Sequence, residues 1–545
     1  MKRFSELFVM VVVACTLGCG DDADPAPDGD GGDGAGVVEF SALSGNWSTE
    51  DWVTGPSGNT GFLSMVFDEA SASGALVALN ANEWGFTCRE VTVRNLVPQD
   101  ADSFTSENLI RFVDGSSEWV PGEVSVDGDE IAITSMCASC ANEALTLTRD
   151  TGTILSSVII DRDIEETTTL AKLDCNDDGP DYIVTDAIDV EQPLTVEAGV
   201  VIAFEANAGL AVVDVIDDGS ITAVGTSEEP ILFTGLEPRS GFWRGIDVES
   251  NDVRNELNHV IVEYAGSDII AQTGSANATG GVSVDQSSGF TSSLSVENSV
   301  FRNNTGYGLI VERGSTLRGF ANNTFDNNTE AAVLIDAENV GVLDGESNYF
   351  GSEPTGTNGL NGVEIRSFGP VHDLTADATW PALSGGAVYR VVQSIDVQAR
   401  LTIEPGATIE FEANETMVFE QDFNGPNDGV LIAKGTEAAN ITFTGVQKTA
   451  GYWRGLVVQS NSSLNEIDHC VVEYGGSDVV ADFAANIVVD RDGAFEPPDL
   501  TVTNSTIRHS AGCGIVVDSF GGDLAQSDNE FLDNAGADVC DASDL

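Results

Sequence analysis

The chain has 545 residues, with 22 basic against 89 acidic side chains and a net charge of −67. That balance excludes nucleic acid as a partner and electrostatic attachment to anionic lipid; it suits divalent cations or cationic ligands, and self-repulsion suits a monomer. A hydrophobic fraction of 41% is enough for a core, in several ordinary domains or one long solenoid.

Residues 1–18 read as a targeting segment. Lys2 and Arg3 precede an apolar run, Leu7 to Leu17, that is too short to span a membrane as a stable helix. The run ends in Thr16-Leu17-Gly18-Cys19, which resembles a bacterial lipoprotein signal. The resemblance implies cleavage before Cys19, lipid on that cysteine, and membrane attachment through the lipid. The location it implies is the cell envelope, as an outer-membrane or cell-surface lipoprotein. Val12-Val13-Ala14-Cys15 fits the same box, but the polar tail begins directly after Cys19. Gly20 to Gly36 holds Asp, Gly, Pro and Ala alone, so residues 19–36 are expected to be a disordered acidic tether.

Residues 37–150 read as a small antiparallel β barrel or sandwich. Short runs such as Glu90 to Leu96, Glu123 to Val126 and Ala144 to Thr148 are divided by turns, and no helical period competes. The opening Leu43-Ser44-Gly45-Asn46-Trp47 and the closing Leu145-Thr146-Leu147-Thr148-Arg149 resemble lipocalin-like barrels. Those start on Gly-x-Trp and end on a strand whose Arg packs over that Trp. At this size a filled interior is expected rather than a ligand cavity.

Residues 151–181 read as a connector. Within it, Asp174-Cys175-Asn176-Asp177-Asp178-Gly179 matches the first half of a calcium loop, with Asp174, Asn176 and Asp178 as ligands. Such loops close on a bidentate Glu at the twelfth position, where this chain has Thr185, so an acidic turn is favoured over calcium. No other cofactor is expected.

From Tyr182 onward the chain repeats itself. Trp243-Arg244-Gly245 recurs as Trp453-Arg454-Gly455, and Val262-Glu263-Tyr264-Ala265-Gly266-Ser267-Asp268 recurs as Val472-Glu473-Tyr474-Gly475-Gly476-Ser477-Asp478. Asn255-Glu256 and His259 match Asn465-Glu466 and His469 at the same offset. Two modules follow, 182–385 and 386–545. Within them, runs of three to six β-forming residues alternate with Gly, Asn, Asp and Ser in units of roughly 20 to 25 residues. Asn298, Asn304, Asn323 and Asn328 fall at turns, where side-chain amides bond backbone or one another along a stack. These residues, with Asn348-Tyr349-Phe350-Gly351, resemble right-handed parallel β-helix proteins of the pectate-lyase-like fold. The fold class expected is all-β: a right-handed parallel β-helix solenoid of two tandem modules after a small β domain. One coil cannot bury its apolar face alone, whereas stacked coils share a core. Roughly fifteen coils are expected, and the stack should continue through the Pro-containing stretch 352–386.

Setting aside Cys15 and Cys19, seven cysteines remain. Cys470 aligns with inward-facing Val260 and reads as a small buried hydrophobe. Cys88, Cys137, Cys140, Cys175, Cys513 and Cys540 are disulfide candidates, which an exported chain permits. Cys513 with Cys540 would staple the terminal coils. Zinc on Cys137, Cys140, Cys88 and Cys175 is the weaker alternative.

No residue stands out as catalytic. The Asn-Thr-Asp, Gly-His-Gly and Arg-Ile-Lys elements of related hydrolases are missing, and Ile467-Asp468-His469 is a fragment of a lyase signature. The prominent polar residues are duplicated, whereas a catalytic constellation is needed once. Arg244/Arg454, His259/His469, Glu263/Glu473 and Asp268/Asp478 therefore read as scaffold. The ligand-contact reading places a glycan or protein on outward faces at Trp243, Trp453, His259, His469, Glu263 and Glu473. Non-catalytic binding or adhesion is the function expected. A polysaccharide lyase or glycoside hydrolase would instead show an unduplicated cluster of Asp, Lys or Arg in a groove on one sheet face. A purely structural envelope spacer would show no groove at all.

Overall fold

The computed structural model describes residues 43–544 apart from loop segments, the longer ones being 55–59, 80–89, 136–143, 151–156, 174–178, 271–276, 286–290, 367–373, 421–428, 478–483 and 492–496. Cys19, Cys88, Cys137, Cys140, Cys175, Asp174, Asn176, Asp178 and Asp478 lie outside the described residues.

Eight antiparallel strands close into a barrel, from Gly45–Ser48 round to Leu145–Asp150, which pairs back onto the first. Alternate residues such as Val124, Val126, Ile131 and Ile133 fill its interior, as period-2 patterning requires. Trp47 is fully buried and donates from Nε1 to Leu43 O at 2.9 Å. The Arg149 guanidinium lies 4.1 Å from the centre of the Trp47 ring and donates to Ser44 O at 3.0 Å. The barrel and its closing Arg-over-Trp contact thus match the sequence expectation. Two further strands, Val53–Thr54 and Thr60–Gly61, leave the barrel and extend a sheet of the solenoid, Thr60 standing opposite Thr168. This pairing engages backbone at an edge of the first coil that would otherwise invite association with other chains.

The rest is parallel. The first such strands are Val158–Ile160 and Thr168–Leu170, inside the stretch read from sequence as a connector. Val158, Ile160 and Leu170 are each inward and buried, a pattern too short for periodicity to reveal. The coils build sheets of seven, eight, thirteen, six and six strands. The longest runs from Ala187–Val190 to Glu530–Leu532, about 60 Å at strand spacing. Leu360–Ile365 pairs with Ala331–Ile335 on one side and Val388–Val391 on the other, so the stack continues between the modules. The core is one contiguous column, with Phe301, Phe325 and Tyr349 stacked at 5.2 and 5.9 Å.

The second module is stepped round by one sheet. Tyr182–Val184 and Ile231–Gly235 lie in the seven-stranded sheet, but their counterparts, Val388–Val391 and Ile441–Gly445, continue the long sheet. Ile246–Glu249 lies in the long sheet, whereas its counterpart Gly455–Val458 lies in a six-stranded sheet of the second module. Residues that match in sequence therefore belong to different sheets.

Two bends recur in left-handed backbone. His259, Asn298 and Asn322 occupy one bend, and Tyr264, Asn303 and Asn327 the next. The second module repeats this with His469, Asn504 and Asp528, then Tyr474, His509 and Asp533. Beside them runs a buried amide ladder. Asn304 Nδ2 donates to Asn328 Oδ1 at 3.0 Å, and Asn328 Nδ2 to Asn358 Oδ1 at 2.9 Å. Asn323 donates to Val296 O at 2.9 Å, and Asn298 to Asn258 Oδ1 at 3.0 Å.

Cys470 is buried and free, and burial pushes its thiol up to about 12, so it is inert at neutral pH. Cys513 and Cys540 form the expected disulfide, joining Cys513–Val517 to Val539–Asp541 at the last coils. The bond closes a loop with a sequence separation of 27. Cys513→Ser is expected to lower stability of this end by roughly 3 kcal/mol through the unfolded chain's entropy. Limited proteolysis should then release the C-terminal coils well before the barrel, and equal resistance with and without reductant would contradict this.

Candidate functional site

The repeated stretch is a self-contained joint. Trp243 is fully buried, stacks on Phe204 at 3.9 Å, and donates from Nε1 to Glu263 O at 2.8 Å. Trp453 does the same with Phe411 at 4.1 Å and Glu473 O at 2.8 Å. Both are core residues, which corrects their reading as outward platforms for a sugar. Gly245 and Gly455 stand at φ 121° and 108°. A Cβ on Gly245 would meet Gly280 O at 2.7 Å, so the backbone there admits glycine alone. Ser267 N donates to Trp243 O, and Ser477 N to Trp453 O, both at 2.9 Å. The two halves of the motif repeat together because they are bonded together.

The duplicated carboxylates are bound up in the same joint. Glu263 accepts from Thr234 Oγ1 at 2.9 Å and pairs with Arg302 Nε at 2.6 Å. Glu473 accepts from Thr444 Oγ1 at 2.9 Å and pairs with Arg508 Nε at 2.7 Å. Both are nearly buried, so the ligand-contact reading of Glu263 and Glu473 gives way to a Thr–Glu–Arg brace across three coils. Their partners are Arg302 and Arg508, not Arg244 and Arg454. His259 and His469 serve through their backbone at the bend: Ile231 N donates to His259 O at 3.1 Å and Ile441 N to His469 O at 3.3 Å. The His469 ring lies 3.1 Å from Asp468, part-exposed.

One open cleft, about 410 Å³, lies on the outer face of the long sheet in the first module. Asp189, Ala211 and Asp247 line it from three successive strands, in register. Glu249, Asp285 and Arg244 line its rim, with Ile269 and Ile270 as an aliphatic wall. Ser283 stands opposite Asp247 on the next strand. Its hydroxyl reaches both the Asp247 carboxylate and Ile270 O, the latter at 2.9 Å. The one hydroxyl hydrogen serves one of the two at a time. Burial pushes the Asp247 carboxyl well above the usual range; the Ser283 hydroxyl pulls it back, and the charges of Glu249 and Asp285 push it further up. Asp189 is raised too, by burial and then by Asp163. Arg244 Nε is buried without a hydrogen-bond partner, as is Arg454 Nε.

This cleft is not duplicated. The column Asp189, Ala211, Asp247, Ser283, Ile310 corresponds in the second module to Asp396, Val418, Val457, Val488, Val516, again in register. There the valines pack together with Cys513, Cys540 and Ala542 into an apolar cluster. Asp247 and Glu249 escaped the sequence reading because it followed what repeats, whereas Asp189 and Asp285 do recur, as Asp396 and Asp490, without standing out. The signal was the reverse: Asp247 facing Val457, and Ser283 facing Val488.

Farther along the same sheet, Asp336 is buried and accepts from Asn339 Nδ2 at 2.9 Å. Burial raises it from 3.8 to about 6, against the pull of the Asn339 hydrogen bonds. A folded-state value above the unfolded one favours folding below the unfolded value, and that advantage is lost as pH rises through about 6. Asp336→Asn, which keeps one amide-accepting oxygen, should therefore raise the thermal midpoint at pH 8 and leave it unchanged at pH 4. The gain is roughly 3 kcal/mol at most. A gain of equal size at both values would refute the assignment.

Residues 162–307 match the family model described as a pectate-lyase like beta helix domain. No curated protein and no solved structure matches the chain. Residues 162–307, cleft included, are thus similar to a pectate-lyase like beta helix domain, and the parallel sheets continue on to Val539–Asp541.

Proposed function

We propose that this chain is a lipid-anchored surface protein whose β-helix holds a glycan, without cleaving it, in the first-module cleft. One observation carries the reading. Two copies of one scaffold differ on one face, where the second packs valines and the first opens a polar cleft beside an aliphatic wall. Carboxylates and a guanidinium suit sugar hydroxyls, which both donate and accept, and Ile269 and Ile270 suit a sugar's C–H face. Titration of the purified chain with oligosaccharides tests this. Binding should occur and should fall in Asp247→Val, which installs the residue of the second module. Mass spectrometry of the mature N-terminus tests the anchor: lipid on Cys19 is expected, and an unmodified N-terminus elsewhere would remove it.

A pair of carboxylates, of which Asp247 has no counterpart in the second module, favours a second reading, glycoside hydrolysis. Asp189 and Asp247 sit two strands apart, about 10 Å between backbones. That span is close to the carboxyl separation of roughly 6.5–9.5 Å used with an intervening water. Asp247, whose carboxyl burial pushes well above the usual range, is the proton donor in this scheme. New reducing ends formed from a neutral or acidic polysaccharide, and lost in Asp247→Asn, would establish hydrolysis over binding.

A further inference from the structure

We propose that the outward face of the seven-stranded sheet is a docking strip for a basic amphipathic helix of a partner protein. This sheet is not the one that carries the cleft. Every second side chain along its strands points away from the core. On Val201–Phe204, Ile231–Gly235, Val260–Glu263 and Val300–Arg302 one outward column reads Val201, Leu232, Ile261, Val300, in register. Ile159 and Ile183 lead into it from the first two coils by way of Ala203, again in register. Apart from Ala203, each of these aliphatic side chains is only part-buried. The second module carries the same column as Thr408, Thr442, Val471 and Thr506. Where the first module has Ile183 and Ala203, the second has Arg390 and Glu410, paired at 2.9 Å. One scaffold thus accepts a polar face at these positions, so the aliphatic strip is no requirement of the coil. A contiguous apolar strip on an otherwise charged surface marks an interaction site.

Shape and charge select the occupant. From Tyr182–Val184 to Val300–Arg302 every strand of the sheet is paired on both sides, so no free edge takes an added strand and a partner lies across the strands. The strip runs along the solenoid for five strand spacings, about 24 Å, which about 16 helical residues cover. Its apolar contacts come once per coil, every ~4.8 Å, close to the ~5.4 Å pitch at which a helix repeats its apolar ridge. Acidic residues stand at both margins: Glu197, Glu228 and Glu229 before the strands, and Asp186, Glu205 and Glu237 after them. Lys172 pairs with Glu229 and Arg239 with Glu237, which leaves an acidic excess on either side. A helix with one apolar face and basic flanks answers the strip and both margins together. A second copy of this chain does not. Its margins repel, and a strip of about 24 by 10 Å falls far short of the roughly 800 Å² per partner of a stable interface. An anionic lipid surface meets the same repulsion.

The test is fluorescence-anisotropy titration of the full chain with labelled peptides of about 16 residues. One is built of Leu and Lys with Leu on a single helical face. Another has the same composition with Leu scattered, and a third replaces Lys by Glu. The first should bind at least about tenfold more tightly than either of the others. The variant Val201→Thr/Leu232→Thr/Val300→Thr installs the residues of the second module, which strands accept, and should weaken that peptide about tenfold at an unchanged thermal midpoint. A photoactivatable leucine in the same peptide should crosslink the unaltered chain at Val201–Phe204, Ile231–Gly235 or Val260–Glu263, a readout that needs no variant. Equal binding of the scattered isomer shows attraction to the acidic surface at large and overturns the strip. Equal binding of the Leu/Glu peptide overturns the basic partner. No binding of the first peptide, undiminished binding in the folded triple variant, or crosslinks confined to other sheets overturns the proposal outright. A dimer in sedimentation that the triple variant dissolves assigns the strip to a second copy instead. Flotation on phosphatidylcholine vesicles, lost in the triple variant, assigns it to lipid.

Discussion

Trp453→Ala should destabilise the β-helix by about 3–5 kcal/mol, and Trp243→Ala by a similar amount. Each indole is fully buried, lies nearly parallel to a phenyl ring, and satisfies a buried carbonyl. Truncation opens a cavity the size of a ring system, removes the stack on Phe204 or Phe411, and strands Glu263 O or Glu473 O. The loss should appear as a lower midpoint in denaturant for the parallel domain. The stranded carbonyls belong to the braced glutamates, so the Thr–Glu–Arg contacts should loosen with it. A surface platform would behave differently: truncation would leave the midpoint within about 0.5 kcal/mol and abolish ligand binding. Intact stability in either variant would return the tryptophans to the surface.

The contrast shows what the sequence made legible. The repeat Trp-Arg-Gly … Glu-Tyr-x-Gly-Ser announced two copies of one scaffold, and strand-and-turn spacing announced coils. Both hold, down to Val260 and Cys470 in equivalent inward positions. The Gly-x-Trp opening and closing Arg149 also foretold the barrel, because one contact, Arg over Trp, ties its first strand to its last. What the repeat could not show was direction. Trp243 and Trp453 sit at bends, where period-2 alternation no longer tells inside from outside. The stepping of the second module by one sheet is likewise silent in sequence, because the coil is the same whichever sheet it joins. Arg302 as the partner of Glu263 was hidden for a related reason: it lies 39 residues away, in the next coil. The cleft escaped because attention to repetition discards the positions where two copies disagree. Asp247 against Val457 is a single letter in an alignment of the modules. On the sheet it is the difference between a packed face and an open one.

Asn328→Ala should be the most damaging single change to the turn side of the stack, on the order of 4 kcal/mol. Asn328 is buried, and its amide makes four contacts. Oδ1 accepts from Asn304 N at 3.2 Å and Asn304 Nδ2 at 3.0 Å, while Nδ2 donates to Phe301 O at 3.0 Å and Asn358 Oδ1 at 2.9 Å. Two of the four partners are backbone groups of the preceding coil, so the ladder satisfies polar atoms that the sheets cannot reach at a bend. Alanine leaves these groups in a low-dielectric interior, where each orphan costs about 1–3 kcal/mol before water enters to offset part of it. Adjacent Asn327 supplies the control. It is exposed, stands at φ 55°, and donates to Asn303 Oδ1 at 2.8 Å. Asn327→Gly keeps the left-handed bend accessible and removes one exposed bond, so its cost should stay below about 1 kcal/mol. Hydrogen exchange at the amides of Asn304 and Asn328 gives the local readout. Protection should collapse at Asn304 in Asn328→Ala and persist in Asn327→Gly. Equal protection in both variants would mean that backbone pairing alone holds the coils in register, and the buried amides would then be passengers.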